Sequence, residues 1–157
     1  MIRFALFLLL IAGTFACKQT TKIEDIAPVV DPRTRMLGTY TVGYQARITI
    51  ATAEGAPESG TATLEVTKAT QGNELFLDFT FSTSAKERLI AQLTGSKFAI
   101  TNKKTETIYA LNRSFEGEYT GNGEFTDKNE FILVTAAQTN QNGTIIKRVG
   151  SITGMKK

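Results

Sequence analysis

Residues Phe115–Phe125 have the sequence FEGEYTGNGEF, in which two kinds of residue alternate. The odd positions hold only aromatic residues and glycines, and the even positions hold only charged and polar ones. Because alternate residues of a strand point to opposite faces, this run predicts a strand with one apolar face. Gly117, Gly121 and Gly123 lie on that face and leave room for a bend or for bulk from the opposite wall. The pattern is typical of a strand that curls around a barrel.

The chain on either side of this strand also reads as strands and turns. Apolar and polar residues alternate from Tyr40 to Ile50, and a bend in this predicted strand is expected near Gly43. Asn142-Gly143 is a strong hairpin signal, and Asn129 suits the left-handed position of another short turn. We predict an all-β domain of about eight strands that closes into an antiparallel up-and-down barrel, with a β-sandwich as the alternative.

One segment fits two kinds of secondary structure, and two others are expected to be loops. Ser84–Leu93 fits a helix or a strand, and the turn signal in Thr94–Lys97 that follows it favours a strand. Glu54–Gly60 contains glycine and proline and is interpreted as a loop. Thr101–Glu106 is interpreted as a second loop, and either could contact a partner.

Composition excludes several kinds of chemistry. The chain has 157 residues, a net charge of +3, one cysteine and no histidine. Without histidine there is no histidine-based triad or general base, and with a single cysteine there is no disulfide within the chain. The basic residues are scattered, so nucleic-acid binding is not expected. No cofactor and no metal site are predicted.

The N-terminus reads as an export signal. Residues 1–16 contain Arg3 and then the apolar run Phe4–Ile11, which is too short to span a membrane. The segment Thr14-Phe15-Ala16-Cys17 resembles the lipobox of bacterial lipoproteins, and that resemblance implies lipidation of Cys17 after cleavage. The alternative is an ordinary signal peptide followed by an unpaired cysteine.

A tether and a folded domain are expected after this signal. Residues 17–36 contain prolines and mixed charges without a sustained period, which is typical of a flexible tether. Residues 37–157 form the predicted barrel domain. The protein is therefore expected to be anchored by its lipid in the bacterial cell envelope, at the outer membrane, on a face that the sequence leaves open.

The start of the predicted barrel resembles that of the lipocalins. Gly38-Thr39-Tyr40 is similar to the Gly-x-Trp motif of that family, with tyrosine in place of tryptophan, whereas the family's Thr-Asp-Tyr motif is not found. Together with the lipobox and tether, the chain resembles small lipocalin-like lipoproteins of the Bacteroidota. The resemblance implies a barrel whose interior holds a small ligand, with Arg148 as a counterpart of the conserved lipocalin arginine.

Aromatic residues at inward positions are the candidate ligand-binding residues. They are Tyr40, Tyr44, Phe79, Tyr119 and Phe125. The alternative is a filled core in which glycines accommodate the facing aromatic rings.

Charged residues give weaker candidates. One face of the glycine-rich strand carries Glu116, Glu118 and Glu124. These residues could form a carboxylate pair or a calcium site, but the favoured interpretation is a solvated outer face. Asp78 is similarly expected to face water. Three basic residues could bind an anionic ligand or simply keep the surface soluble: Arg47, Lys147 and Arg148.

The functional hypothesis is a non-enzymatic envelope lipoprotein that binds a small apolar ligand in its barrel. The alternative is a protein-interaction module or enzyme inhibitor on the envelope, with an envelope protein as its partner. A carboxylate-dependent hydrolase is disfavoured, because two acids would have to converge in a cleft without help from histidine.

Overall fold

The computed structural model describes residues 30–157, which form an all-β domain. The predicted signal peptide, Cys17 and the first part of the tether lie outside these residues. No helix within the described range has the length and hydrophobicity needed to cross a membrane. A 3-10 helix at Pro32–Met36 precedes ten strands. The strands are β1 (Gly38–Ile50), β2 (Ala53–Glu54), β3 (Glu58–Lys68), β4 (Glu74–Phe81), β5 (Lys86–Thr94), β6 (Lys97–Ile100), β7 (Thr105–Ala110), β8 (Arg113–Phe125), β9 (Glu130–Gln141) and β10 (Thr144–Lys156).

Eight of these strands close into an antiparallel barrel. The order around the sheet is β10-β9-β8-β6-β5-β4-β3-β1, and β1 pairs with β10 to complete the circle. The closing ladder runs from Tyr40 opposite Lys156 to Ile50 opposite Ile146. Within residues 30–157, the short β2 pairs only with β1, and β7 pairs only with β8. The predicted up-and-down barrel is confirmed, with two additional strands.

The turns follow the local sequence signals. Asn142 and Gly143 have φ values of 51° and 85°, and Asn129 has a φ of 61°, so the predicted left-handed turn residues are confirmed. Ser84–Leu93 is largely strand β5, as the turn after it predicted.

Both predicted loops are shorter than expected. β3 already begins at Glu58 and β7 at Thr105. Only residues 55–57 lie between β2 and β3. Gly60, expected to be in the first loop, is instead part of β3 and pairs with Tyr44 of β1.

One end of the barrel is packed with aromatic and aliphatic side chains. We call it the plugged end: it holds the N-terminal ends of β1, β4, β6 and β9. Phe131 is fully buried there and packs within 6.2 Å, between ring centroids, of Tyr40, Phe79, Phe98 and Phe125. Burial of such rings contributes about 1.5–3 kcal/mol each to the stability of the folded state.

The 3-10 helix closes the plugged end. Met36 is 1% exposed, and its carbonyl oxygen accepts a 2.8 Å hydrogen bond from the buried Tyr40 hydroxyl. Arg33 donates to the carbonyl oxygens of Gln71 and Glu74 at 2.7 and 3.2 Å, which ties the helix to the β3–β4 turn. Hydrogen bonds from Arg33 and Lys68 hold the pKa of Asp31 well below its usual range. The predicted tether ended at residue 36, but its last residues are part of the folded domain because Met36 is needed to fill the barrel.

The glycines of β8 make room for neighbouring side chains. A Cβ at Gly123 would overlap the Phe98 ring and the Ile132 carbonyl oxygen, and one at Gly121 would lie 2.8 Å from an Ile100 carbon. The glycine-rich face therefore accommodates large residues of the adjacent strand β6.

Replacing Gly123 with alanine should destabilise the barrel by about 2 kcal/mol or more, because the added carbon has no free space. Chemical denaturation measures the free energy of unfolding. Gly72→Ala is the matched control, because a Cβ there would meet nothing within 4 Å, and it should leave stability unchanged or slightly raised. Equal stability of the two variants would contradict this role of Gly123.

Candidate functional site

The pairing between neighbouring strands of the barrel wall changes at the end opposite the 3-10 helix. β5 pairs with β6 only through Ala91–Thr94, so its first half lacks a partner strand on that edge within residues 30–157. The Asn102 side chain takes the place of a strand there: it accepts from the Ile90 amide at 2.8 Å and donates to the Arg88 carbonyl oxygen at 3.2 Å. This side-chain bridge lets the chain leave the barrel wall after β6.

The hairpin formed by β7 and β8 then folds across this end of the barrel. Ile108 of β7 is fully buried in a small second cluster with Ala137 of β9 and Ile146 of β10. Ile48 and Ile50, from the end of β1, pack against the same cluster. A Cβ at Gly117 would lie 2.9 Å from Ile108 within the hairpin and 3.0 Å from the Gln138 amide nitrogen of β9, so this glycine allows the hairpin to pack closely against the neighbouring barrel strand.

A cavity of about 250 Å³ lies between this hairpin and the packed core. Its apolar and aromatic lining consists of Tyr44, Ala46, Phe81, Leu89, Tyr119, Leu133 and Ile152. Its polar and small lining residues are Gln45, Glu58, Glu87, Lys103, Glu106, Thr135, Arg148, Gly150 and Ser151. The space is just below the ~300–1,000 Å³ of ordinary small-molecule sites.

Five charged side chains from separate parts of the sequence form one chain of ion pairs beside the cavity, which we call the charged rim. Its members are Glu58, Glu87, Lys103, Glu106 and Arg148. Lys103 lies 2.8 Å from Glu87 and 3.3 Å from Glu106. Arg148 lies 2.6 Å from Glu106 and 3.1 Å from Glu58. The order of charges is therefore acid, base, acid, base, acid, with a carboxylate at each end.

Exposure differs along the charged rim. The central Glu106 has a side chain only 17% exposed, whereas the terminal Glu87 and Glu58 are 36% and 54% exposed. Glu106 contacts both basic residues, while each terminal carboxylate contacts one. The terminal carboxylates keep free acceptor positions that a ligand can reach.

Tyr119 connects the charged rim to the interior. The Lys103 ammonium lies 4.6 Å from the centre of its ring, which is cation–π geometry. Burial raises the pKa of the Tyr119 hydroxyl, and the charges of Glu87 and Glu106 raise it further. The hydroxyl is therefore neutral at physiological pH and remains a hydrogen-bond donor.

Tyr44 and Phe81 form an aromatic corner on the other side of the cavity. Their rings meet edge to face with centroids 5.5 Å apart. A Cβ at Gly60 would lie 2.6 Å from the Tyr44 ring, so this glycine makes room for that ring. Glu58 precedes Gly60 by two residues on the same face of β3, which places a carboxylate beside the aromatic corner.

The predicted ligand-binding residues divide between the two halves of the interior. Tyr44 and Tyr119 line the cavity. Tyr40, Phe79 and Phe125 are at most 3% exposed and belong to the packed core rather than to the cavity lining, although Phe79 stacks on the lining residue Phe81.

The other charged candidates lie mostly outside the barrel. Glu116 and Glu118 are exposed, and Asp78 on β4 accepts hydrogen bonds of 2.6 and 3.0 Å from Arg88 on β5. Arg47 pairs with Glu54 on the outside. Arg148 is the one basic candidate of its group that lines the cavity. In residues 30–157 no three acidic or cysteine side chains come together as a metal-binding group.

Sequence reasoning missed most of the charged rim. The sequence predicts loops for Glu58, Lys103 and Glu106 and no site for Glu87. The available signal was strand parity: Glu87 is two residues from the buried Leu89, so it points inward as well. A charged residue at an inward position near a strand end marks a polar barrel mouth.

Comparison with known proteins gives a fold but no family. No protein-family model matches the chain, and no curated protein does. Among solved structures it is similar to the monomer form of the Mycobacterium tuberculosis PknI sensor domain, with a TM-score of 0.50 and 10% identity. The match covers 76% of this chain and 86% of that one. The likeness supports the fold alone, a closed eight-stranded antiparallel β-barrel of a kind that fits a lipocalin-like barrel.

Proposed function

We propose that this protein is a non-enzymatic, lipid-anchored envelope protein whose barrel binds a small molecule. The observation that carries the proposal is the cavity of about 250 Å³, held between a packed aromatic core and the β7–β8 hairpin. The likeness to a sensor domain is compatible with a binding module of this kind.

The lining supports a ligand with an apolar body. Leu89, Leu133 and Ile152 form part of the wall, and Tyr44 and Tyr119 add aromatic surface. Binding sites for small molecules combine such apolar walls with a few placed polar groups, and the charged rim supplies them here. A cavity of this volume is slightly below the usual range for small-molecule sites, so it suits a small ligand.

The pairing of the charged rim favours binding over catalysis. Hydrolysis by two carboxylates needs one acid to donate a proton and another to act as base or nucleophile. In the charged rim each carboxylate lies within 3.3 Å of a basic nitrogen and forms an ion pair with it, so all three are already engaged and are poorly placed to serve as a separate acid and base.

A protein-interaction role is the second candidate. Tyr109 and Leu111, at the tip of the β7–β8 hairpin, are 73% and 68% exposed. Within residues 30–157, β7 pairs only with β8, so its outer edge is free to take a further strand. A second polypeptide bound to the purified protein would favour this function.

Filling the cavity should abolish ligand binding. Ala46 is 5% exposed and lines the cavity, so Ala46→Leu places a larger side chain in the space the ligand needs. Native mass spectrometry of the full chain purified from its own host in mild detergent should show a small adduct that leaves on denaturation. We expect the adduct on the wild type and its loss from Ala46→Leu.

Ala136→Leu is the matched control, because Ala136 pairs with Thr120 and Val149 on the outer face of the barrel. It should keep the adduct, and circular dichroism verifies that both variants fold. A wild-type protein without an adduct, or an adduct that both variants keep, would contradict binding in this cavity.

The proposed anchor makes a separate prediction. Cleavage before Cys17 would release residues 1–16, and lipidation of Cys17 would add a diacyl or triacyl mass to the mature chain, as the lipobox resemblance implies. Intact mass measurement of the host-purified protein should show that increment, and Cys17→Ala should lose it and leave the membrane fraction. A mature chain of unmodified mass would contradict the lipid anchor.

A further inference from the structure

We infer that the ligand is a small organic cation, with a protonated amine held at the charged rim and its apolar body in the cavity. This inference rests on the proposed binding function and names the class of ligand. It follows from the charge order of the rim and from the aromatic surface beside it.

The charged rim has an excess of negative charge. Three glutamates face two basic residues, and both bases are already held between two carboxylates. An anionic ligand would have to displace a glutamate from Lys103 or Arg148 and would leave that carboxylate unpaired in a partly enclosed site. A cation can instead join either end of the chain without breaking an existing pair.

Glu58 is the better of the two ends. Its side chain is the most exposed of the rim and makes one ion pair at 3.1 Å, so it retains acceptor capacity towards a ligand. Its neighbour Arg148 keeps a second, shorter pair with Glu106 at 2.6 Å. Recruiting Glu58 to a ligand therefore does not leave Arg148 without a counterion.

Aromatic rings beside these carboxylates suit a cation as well. Tyr44 and Phe81 line the cavity next to Glu58, and ring faces attract ammonium groups most strongly where water is excluded. The position of the Lys103 ammonium over the Tyr119 ring already shows this interaction within the site.

Three probes with one aromatic body and different head groups test the inference. They are 2-phenylethylammonium, the neutral 2-phenylethanol and the anionic phenylacetate. Calorimetric titration of the full chain, corrected by titration into the same detergent alone, measures their dissociation constants. We expect 2-phenylethylammonium to bind about tenfold more tightly than the other two.

Glu58→Gln should weaken binding of the ammonium probe about three- to tenfold and leave 2-phenylethanol unchanged, because it removes charge but keeps the shape. Glu118→Gln is the matched control, since Glu118 is exposed on the outer face of β8. It should change neither affinity.

Equal affinities for all three probes, or tightest binding of phenylacetate, would overturn the cation inference while leaving small-molecule binding in place. An ammonium affinity unaffected by Glu58→Gln would overturn it as well. Absence of binding by all three probes would also count against a cation of this size, whereas the proposed function stands or falls separately on the host-derived adduct and its loss in Ala46→Leu.

Discussion

The pairing of β1 with β10 is the constraint on which the rest of the structure depends. This ladder joins the first strand of the domain to the last, from Tyr40 opposite Lys156 to Ile50 opposite Ile146. Without it, both strands would expose a free edge and the interior would open to water. The close approach of the two strands requires Gly154, where a Cβ would overlap the Thr41 carbonyl oxygen and Val42. Closure therefore depends on the absence of a side chain as much as on hydrogen bonds.

A closed wall creates an interior that the chain fills unevenly. Five large aromatic side chains and Met36 occupy the plugged end. Towards the other end the inward positions include small residues such as Gly60, Ala46 and Gly150, and the barrel is covered by the hairpin. The packed half supplies the apolar burial that stabilises the fold, and it leaves the other half free for a cavity bordered by charges.

The sequence predicted the features that depend on local pattern. Period-two alternation located the strands, and Asn142-Gly143 and Asn129 located turns, because backbone conformations with positive φ favour these residues. Barrel closure followed from the number of strands and their short links.

Features formed by contacts between distant segments of the chain were harder to predict from the sequence. Lys103, Glu106 and Arg148 meet only because β7 leaves the barrel wall and folds over its end, and no local signal predicts that the Asn102 side chain replaces a strand there. Met36 is assigned to the tether in the sequence-based prediction, because the sequence alone does not show that its side chain fills one end of the barrel. The five aromatic residues predicted to bind a ligand do point into the barrel. Strand parity alone does not show which half of the barrel each of them occupies.

Methyl NMR of the full-length protein during titration with 2-phenylethylammonium tests the central claim most directly, because methyl groups mark both halves of the interior. Leu89, Leu133 and Ile152 line the cavity, whereas Val66 and Leu75 are buried in the packed core at the plugged end. The account predicts saturable shifts of the first three methyl-bearing residues and none of the other two. Shifts confined to exposed residues such as Val134 and Val149, or equal shifts throughout the interior, would contradict a ligand site in the cavity.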